Sequence, residues 1–491
     1  MKTLVKHKFL LALILGSGFS FAQKPAQPAD FLSSEFHQGR REKLRLALPP
    51  NSVAVFFANA VRNRANDVDY VYHQDPDFYY LTGYREPNAV LLVFKEAQQK
   101  TDGTTYNEII FVQPRNAFYE MWTGRRLGTA GVKEVLGFRE VFKNIEFKDY
   151  PLDFSKFDVV LFTDFKDDVR DDARNEGDLY DLIAQFKQKV NYPAKGGAEI
   201  APEPAAANLD TQSLFTIMGN LRGIKTPEEI QLLKKAINIS AVGQVEVMKA
   251  MRPGMSETEI QGIHEFVFKK YGAEYEGYPS IVGAGNNGCI LHYIENNKPK
   301  ISSKEMVLMD LGAEYHGYTA DVTRTIPVNG KFSPEQKAIY ELVLKAQNAA
   351  IEASVAGNTW KATGKIARDI INQGLYELGI ITKVKQRHMY YPHGLGHHIG
   401  LDVHDNGPYE VFAPGMVFTV EPGIYIPAGS PCDEKWWGIA VRIEDDILID
   451  ENGQPVLLSG LAPRTVEDIE KTMAEPSVLN QFILPDLDEE K

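Results

Sequence analysis

A run from Pro193 to Asp210 that is rich in Pro, Ala and Gly, including Ala201-Pro-Glu-Pro-Ala-Ala-Ala, divides this sequence into two unlike parts. At 491 residues the chain exceeds a typical single domain, so a domain on either side of that linker is the expectation. Before it, Ser52-Val-Ala-Val-Phe-Phe, Ala89-Val-Leu-Leu-Val-Phe and Val159-Val-Leu-Phe are compact apolar runs of β type, alternating with amphipathic stretches. This pattern predicts an α/β domain with a partly parallel sheet over residues 30–205. After it, helices and largely antiparallel strands interleave over residues 212–475, which predicts an α+β domain.

Helix starts in the second part carry their own chemistry. Thr226-Pro-Glu-Glu places a capping Thr, a Pro in the first turn and acidic residues at the positive helix end. Ser256-Glu-Thr-Glu and Ser333-Pro-Glu-Gln open two more helices in the same way. Gly283-Ala-Gly285-Asn-Asn-Gly288 matches a dinucleotide-binding pattern by letter. The following Cys289-Ile-Leu-His-Tyr reads as a strand rather than a helix, so the glycines form a turn and not a phosphate cradle.

The first 22 residues read as an export signal. Lys2, Lys6 and Lys8 precede an apolar stretch from Phe9 to Phe19, and Ser20-Phe21-Ala22 offers a cleavage site before Gln23. The apolar stretch falls short of the ~20 residues that span a bilayer, and no second run approaches that length. The expectation is an exported protein, periplasmic or extracellular, with no membrane partner after signal removal. A formal charge of −13 with no Lys/Arg-rich block excludes nucleic acid as a natural partner. Cys289 and Cys432 are permitted to pair in an oxidising compartment, but two cysteines are no framework.

Chemistry concentrates downstream. Met306-Val-Leu-Met-Asp310 and Gly317-Tyr-Thr-Ala-Asp321 read as strands of a hairpin. With the turn centred on Tyr315–His316, Asp310 and Asp321 would lie directly opposite, Cβ atoms about 4.5–5.5 Å apart. Facing carboxylates repel unless a cation lies between them or one is protonated. An exposed hairpin with two solvated aspartates fits the same letters. His393-Gly-Leu-Gly-His397-His398 and His404, set among glycines, favour a site, because such a stretch builds no core face. Glu421 ends an apolar strand before Pro422-Gly423. In Ile439-Ala-Val-Arg442-Ile-Glu444, Arg442 and Glu444 share one face, as a metal ligand and its supporting partner or as a surface ion pair.

The stretches Met309-Asp310-Leu-Gly, Ala320-Asp321-Val-Thr-Arg-Thr, His393-Gly-Leu-Gly-His397, Val420-Glu421-Pro-Gly and Arg442-Ile-Glu444-Asp resemble the metal-binding motifs of the pita-bread metallopeptidases. Tyr72-His-Gln-Asp-Pro-Asp-Phe-Tyr-Tyr-Leu-Thr-Gly-Tyr and Met121-Trp-Thr-Gly-Arg-Arg-Leu-Gly resemble the N-terminal domain of the aminopeptidase P subfamily. The resemblance implies an α+β pita-bread catalytic domain behind a smaller α/β domain. It also implies a hydrolase that cleaves between an N-terminal residue and a following proline by means of a hydroxide held between two divalent ions. The implied ligands are Asp310, Asp321, His397, Glu421 and Glu444, with Asp321 and Glu444 bridging. A hard, oxygen-rich set of this kind suits Mn²⁺, with Co²⁺ or Zn²⁺ as substitutes. Glu421 would also shuttle the proton, His292 and His404 would contact substrate, His393 would line the proline pocket, and Arg442 would orient the bridging carboxylates.

Relatives that share the five ligands differ elsewhere. Prolidase, which cleaves Xaa-Pro dipeptides, is the main alternative, but residues Asp405 to Val420 carry no Lys or Arg to hold a free C-terminal carboxylate. A non-enzymatic peptide-binding module is a remote one, since no ligand is missing. The expected partners are peptides with proline second and other copies of the chain, as a homodimer or homotetramer. Trp122 and Asp67 lie in segments resembling those that reach a neighbour's site in the family, or are ordinary fold residues.

Overall fold

Phe78, Tyr80, Leu91 and Ile110 are fully buried, and the N-terminal half is organised around them. In this computed structural model, residues 30–193 and 208–481 are described. The signal segment and most of the Pro/Ala-rich run therefore lie outside the described residues. The chain divides into a short unit, Met1–Phe31, and a large one, Leu32–Lys491, to which every element below belongs.

The N-terminal half opens with α1 (Ser34–Ala47), β1 (Ser52–Phe57), α2 (Pro76–Thr82), β2 (Val90–Gln99), β3 (Thr105–Val112), α3 (Ala117–Thr123), β4 (Val141–Lys143), β5 (Val159–Leu161) and β6 (Leu209–Asp210). Its six-stranded sheet runs β4-β3-β2-β1-β5-β6. The β1–β2 and β2–β3 pairs are antiparallel; β3–β4, β1–β5 and β5–β6 are parallel. The mixed sheet agrees with the α/β expectation. The last residues of the supposed linker, however, form β6, because Val160 and Leu161 offer them an open parallel edge.

The second half contains α4 (Ser213–Gly223), α5 (Pro227–Ala250), α6 (Glu257–Lys270), β7 (Tyr275–Glu276), β8 (Ile281–Ala284), β9 (Met306–Leu311), β10 (Ala313–Tyr315), β11 (Tyr318–Thr319), β12 (Val322–Pro327), α7 (Pro334–Ala353), α8 (Trp360–Glu377), β13 (Val417–Val420), β14 (Gly423–Ile426), β15 (Ile439–Arg442) and β16 (Asp445–Ile449). α5 starts on a full capping box. Thr226 Oγ1 accepts from the Glu229 amide, and the Glu229 carboxylate accepts from the Thr226 amide at 2.9 Å. α7 begins likewise with Ser333 and Gln336. Strand pairs in this half are all antiparallel among the described residues. A continuous apolar cluster joins the halves, from Leu44 and Phe78 through Leu214 and Met218 to Leu233 and Met309. Their relative placement is thus fixed by burial, the dominant favourable term in folding.

The strand expected from Cys289 onward is not found. Gly285–Cys289 is a 3-10 turn, and residues 290–292 continue as bend and turn rather than strand. An added Cβ at Gly283 would lie 2.7 Å from the Gly288 amide, so the glycines there serve a tight chain crossing. Cys289 and Cys432 are both free thiols. No helix among the described residues is long and apolar enough to cross a membrane.

Candidate metal centre and active site

The hairpin register decides how the first two aspartates meet. Tyr315 pairs with Tyr318, Leu311 with Val322 and Asp310 with Thr323, so Asp321 is two residues away from the position facing Asp310. The turn is centred on His316–Gly317, whose φ angles of 52° and 87° are both positive. That is the conformation a two-residue turn needs to match strand twist, and glycine adopts it freely. A two-residue shift keeps side chains on the same face. Asp310 and Asp321 are diagonal neighbours rather than opposite ones.

Their link is a residue that the sequence did not single out. The Tyr278 hydroxyl lies 2.6 Å from Asp310 Oδ1 and 2.5 Å from Asp321 Oδ1. Burial and both aspartates push its pKa well above the ordinary phenol value, so it stays protonated and can donate. Nothing in Glu276-Gly-Tyr278-Pro marks this tyrosine beforehand.

The other ligands arrive on three further segments. Glu421 follows β13 and Glu444 sits in the break between β15 and β16. His397 is placed by backbone pairing to β13, where the Thr419 amide donates to its carbonyl at 2.9 Å and the Glu421 amide to that of Leu395 at 2.8 Å. The close approach demands Gly396, since a Cβ there would lie 1.9 Å from the Thr419 carbonyl oxygen. His397 Nε2 is then 3.5 Å from both Asp321 Oδ2 and Glu421 Oε1.

Arg442 ties these groups together. Its Nη2 donates to Asp310 Oδ2 at 2.5 Å, its Nη1 to the Tyr425 hydroxyl at 2.9 Å and its Nε to Thr323 Oγ1 at 3.2 Å. The Thr323 hydroxyl donates in turn to Glu444 Oε2 at 2.5 Å. On the other branch, the Tyr425 hydroxyl lies 2.8 Å from His393 Nε2, while His393 Nδ1 lies 2.9 Å from the Gly394 carbonyl. A carbonyl only accepts, so Nδ1 carries the proton and Nε2 accepts from Tyr425. Burial first and Arg442 next lower the His393 pKa to about 4, which keeps the ring neutral.

All nine singled-out residues, His292, Asp310, Asp321, His393, His397, His404, Glu421, Arg442 and Glu444, line one cavity of about 280 Å³ together with Leu291, Gly394 and Gly396. His404 stacks edge-on against His397 with ring centres 4.3 Å apart. Trp122 and Asp67 are not among the lining residues; both are exposed on the N-terminal half.

The donor set fits divalent cations. One ligand atom each from Asp321, His397 and Glu444 falls within 4.8 Å of the others. Burial, then Asp310, pushes Asp321 well above the carboxylate range. Burial, then Asp321 and Glu421, does the same to Glu444, and burial raises Glu421 to about 7. Asp310 goes the other way, because Arg442 and Tyr278 outweigh its burial. Three carboxylates forced toward neutrality around one imidazole are short of positive charge, which divalent ions supply.

The sequence comparisons agree with this geometry. Residues 231–451 match metallopeptidase family M24, and residues 37–156 match the aminopeptidase P N-terminal domain. The chain belongs to metallopeptidase family M24. Within that family it aligns nearly end to end with Xaa-Pro aminopeptidases. It is 38% identical to that of Haemophilus influenzae over 458 residues, 90% of this chain and 98% of the relative. It is 30% identical to human Xaa-Pro aminopeptidase 3, covering 92% and 89%. The structure superposes on a Pseudomonas aeruginosa aminopeptidase with a TM-score of 0.78, and on Escherichia coli aminopeptidase P with the inhibitor Pro-Leu at 0.77. Both are 33% identical, over 90% of this chain and 98% of theirs.

Proposed function

We propose that this protein, a metal-dependent hydrolase, removes the residue in front of a penultimate proline, with two divalent ions held by Asp310, Asp321, His397, Glu421 and Glu444. The observation that carries the reading is the convergence of four carboxylates and four histidines on one cavity in a chain of this family. When bound, such ions activate water and polarise the scissile carbonyl.

The protein's own groups supply the rest. Glu421, raised to about 7 by burial, can both take up and return a proton near neutrality. That return matters because proline's nitrogen leaves poorly until protonated. His292 and His404 face the cavity, where they can donate to the substrate carbonyl as charge develops. Neutral His393, fixed by Tyr425, lines the wall for the proline ring. Arg442 and Tyr278 hold the aspartates in place.

Mn²⁺ is the proposed metal, because oxygen donors outnumber nitrogen four to one and no thiolate is present in the set. Export is proposed from the N-terminal segment, and a mature chain beginning at Gln23 is the expected result of N-terminal sequencing. A homodimer or homotetramer is proposed, with light scattering as its check. The central test compares Xaa-Pro, Xaa-Pro-Yaa and Xaa-Ala-Yaa peptides with added Mn²⁺. Cleavage of the tripeptide with proline supports the reading. Cleavage of the dipeptide alone makes the protein a prolidase, and equal rates on the alanine peptide remove proline specificity.

A further inference from the structure

The loop that presents His404 to the cavity is held from behind by a buried cluster of charges. Asp405 is fully enclosed. One carboxylate oxygen accepts from Lys225 Nζ at 2.9 Å and the other from Arg222 Nη2. Arg222 Nη1 reaches back to Asp77 Oδ1 of α2 at 2.7 Å. Two cations thus face the carboxylates of Asp405 and Asp77, with the Asp75 carboxyl also acting on Arg222. Burial alone raises a carboxyl group's pKa, yet Arg222 and Lys225 overcome it and keep Asp405 below the usual range.

The fit extends along α4. Gly219 accommodates Asn406, whose Nδ2 donates to the Phe215 carbonyl at 2.8 Å, and Gly223 accommodates Pro408. The Tyr80 hydroxyl of α2 donates to the Leu221 carbonyl at 2.9 Å. A Cβ at Gly400 would strike Asp405 Oδ2 at 2.1 Å. The Asp405 amide also donates to the His398 carbonyl at 2.9 Å, next to His397. The helix between the two halves therefore grips the residue adjoining one cavity histidine.

We infer that Asp405 is a positioning residue: clamped by Arg222 and Lys225, it sets the His404 ring against His397 and so places it for substrate. This inference rests on the proposed role of His404. A 1 Å misplacement of a reacting group costs about 100-fold in rate, so small slack in the clamp is enough to matter.

The test is a double-mutant cycle on the Mn²⁺-loaded full chain with an Xaa-Pro-Yaa peptide. Asp405→Asn and His404→Ala are each expected to lower kcat about 10- to 100-fold, with KM nearly unchanged. The double variant should be no slower than His404→Ala alone, because a residue acting only through His404 has nothing left to position. Losses that multiply overturn the inference and leave Asp405 a general support. A second readout does not use activity: in the crystal structure of Asp405→Asn, the His404 ring should leave its edge contact with His397 while the five ligand side chains stay in place. A ring that keeps that contact overturns the inference even if the wild-type enzyme proves inactive on every peptide. Should Asp405→Asn fail to fold, Asp77→Asn, partly exposed and removing only the outer anion, goes through the same cycle and the same crystallographic readout, with a smaller loss expected.

Discussion

Arg442 Nη2 donates to Asp310 Oδ2 at 2.5 Å, with 4% and 11% of the two side chains exposed to solvent. The guanidinium also contacts Thr323 and Tyr425, so one side chain holds Asp310 directly and reaches Glu444 and His393 through those two hydroxyls. Arg442→Lys should fail to substitute, since a single ammonium cannot span three partners in a plane. Metal affinity is expected to fall about 10- to 100-fold, as for other groups that orient ligands. Titration calorimetry with Mn²⁺ on the apoprotein measures it, and an unchanged affinity contradicts the role.

Tyr278→Phe removes the hydroxyl within reach of both Asp310 and Asp321 and changes nothing else in volume. The expected outcome is again a loss of roughly 10-fold in metal affinity, with the melting temperature of the metal-loaded form nearly preserved. Calorimetry and differential scanning fluorimetry separate these. A variant that melts early but binds metal normally places Tyr278 in the fold alone.

Metal removal should change how stability depends on pH. Burial raises Glu421 from 4.5 to about 7, against His397 and Arg442, and Asp321 and Glu444 move the same way. Between those values the folded apoprotein holds protons that the unfolded chain has released. That stabilisation is complete below pH about 4.5 and is lost as the pH rises through about 7. With chelator, melting temperature should fall from pH 5 to pH 8; with Mn²⁺, binding to the native state should hold it up across that range. Parallel curves with and without metal count against the cation site.

His264 is wholly buried beside Gly243 and Phe268, and neither ring nitrogen has a hydrogen-bond partner among the described residues. Burial lowers its pKa from 6.5 to about 3. From pH 6.5 down toward 3 the unfolded chain carries a proton that the folded chain refuses, so the stability tied to the neutral ring is full above 6.5 and declines on acidification. His264→Phe should flatten that part of the acid limb in Mn²⁺-loaded protein. Chemical denaturation at pH 7 and pH 5 checks it, and an unchanged difference between the two removes His264 as a cause.

What could be read from the residues was local or periodic. Caps at Thr226, Ser256 and Ser333 announced three helices, and β-type runs at Ser52 and Ala89 announced strands, because these signals lie within a few residues of what they specify. Asp310, Asp321 and the histidines from His393 to His404 stand out because such side chains in apolar or glycine-rich stretches build no core face, whereas His292 and the ligand and substrate roles come only from the family resemblance. The hairpin turns one residue later than a centre on Tyr315–His316, and Gly317, a second turn position with positive φ, is the cue to that register. Tyr278 and the Arg222–Asp405–Lys225 cluster gave no cue, since their partners are 32 to 183 positions away in sequence and only folding reveals them. Helix α4 starts after Gln212 with no side-chain cap and no acidic residue in its first turn, so the stretch beside the Pro/Ala-rich run carries no start signal for it.

The reverse turn at His316–Gly317 bears on how this hairpin can vary. Alternation along a strand has a period of two, so an odd insertion or deletion between Asp310 and Asp321 that slid one strand past the other would point one carboxylate away from the cavity. Loop length here is therefore arithmetically restricted: even steps keep both acids on the same side of the sheet, and odd ones dismantle the cation cradle without touching a single ligand.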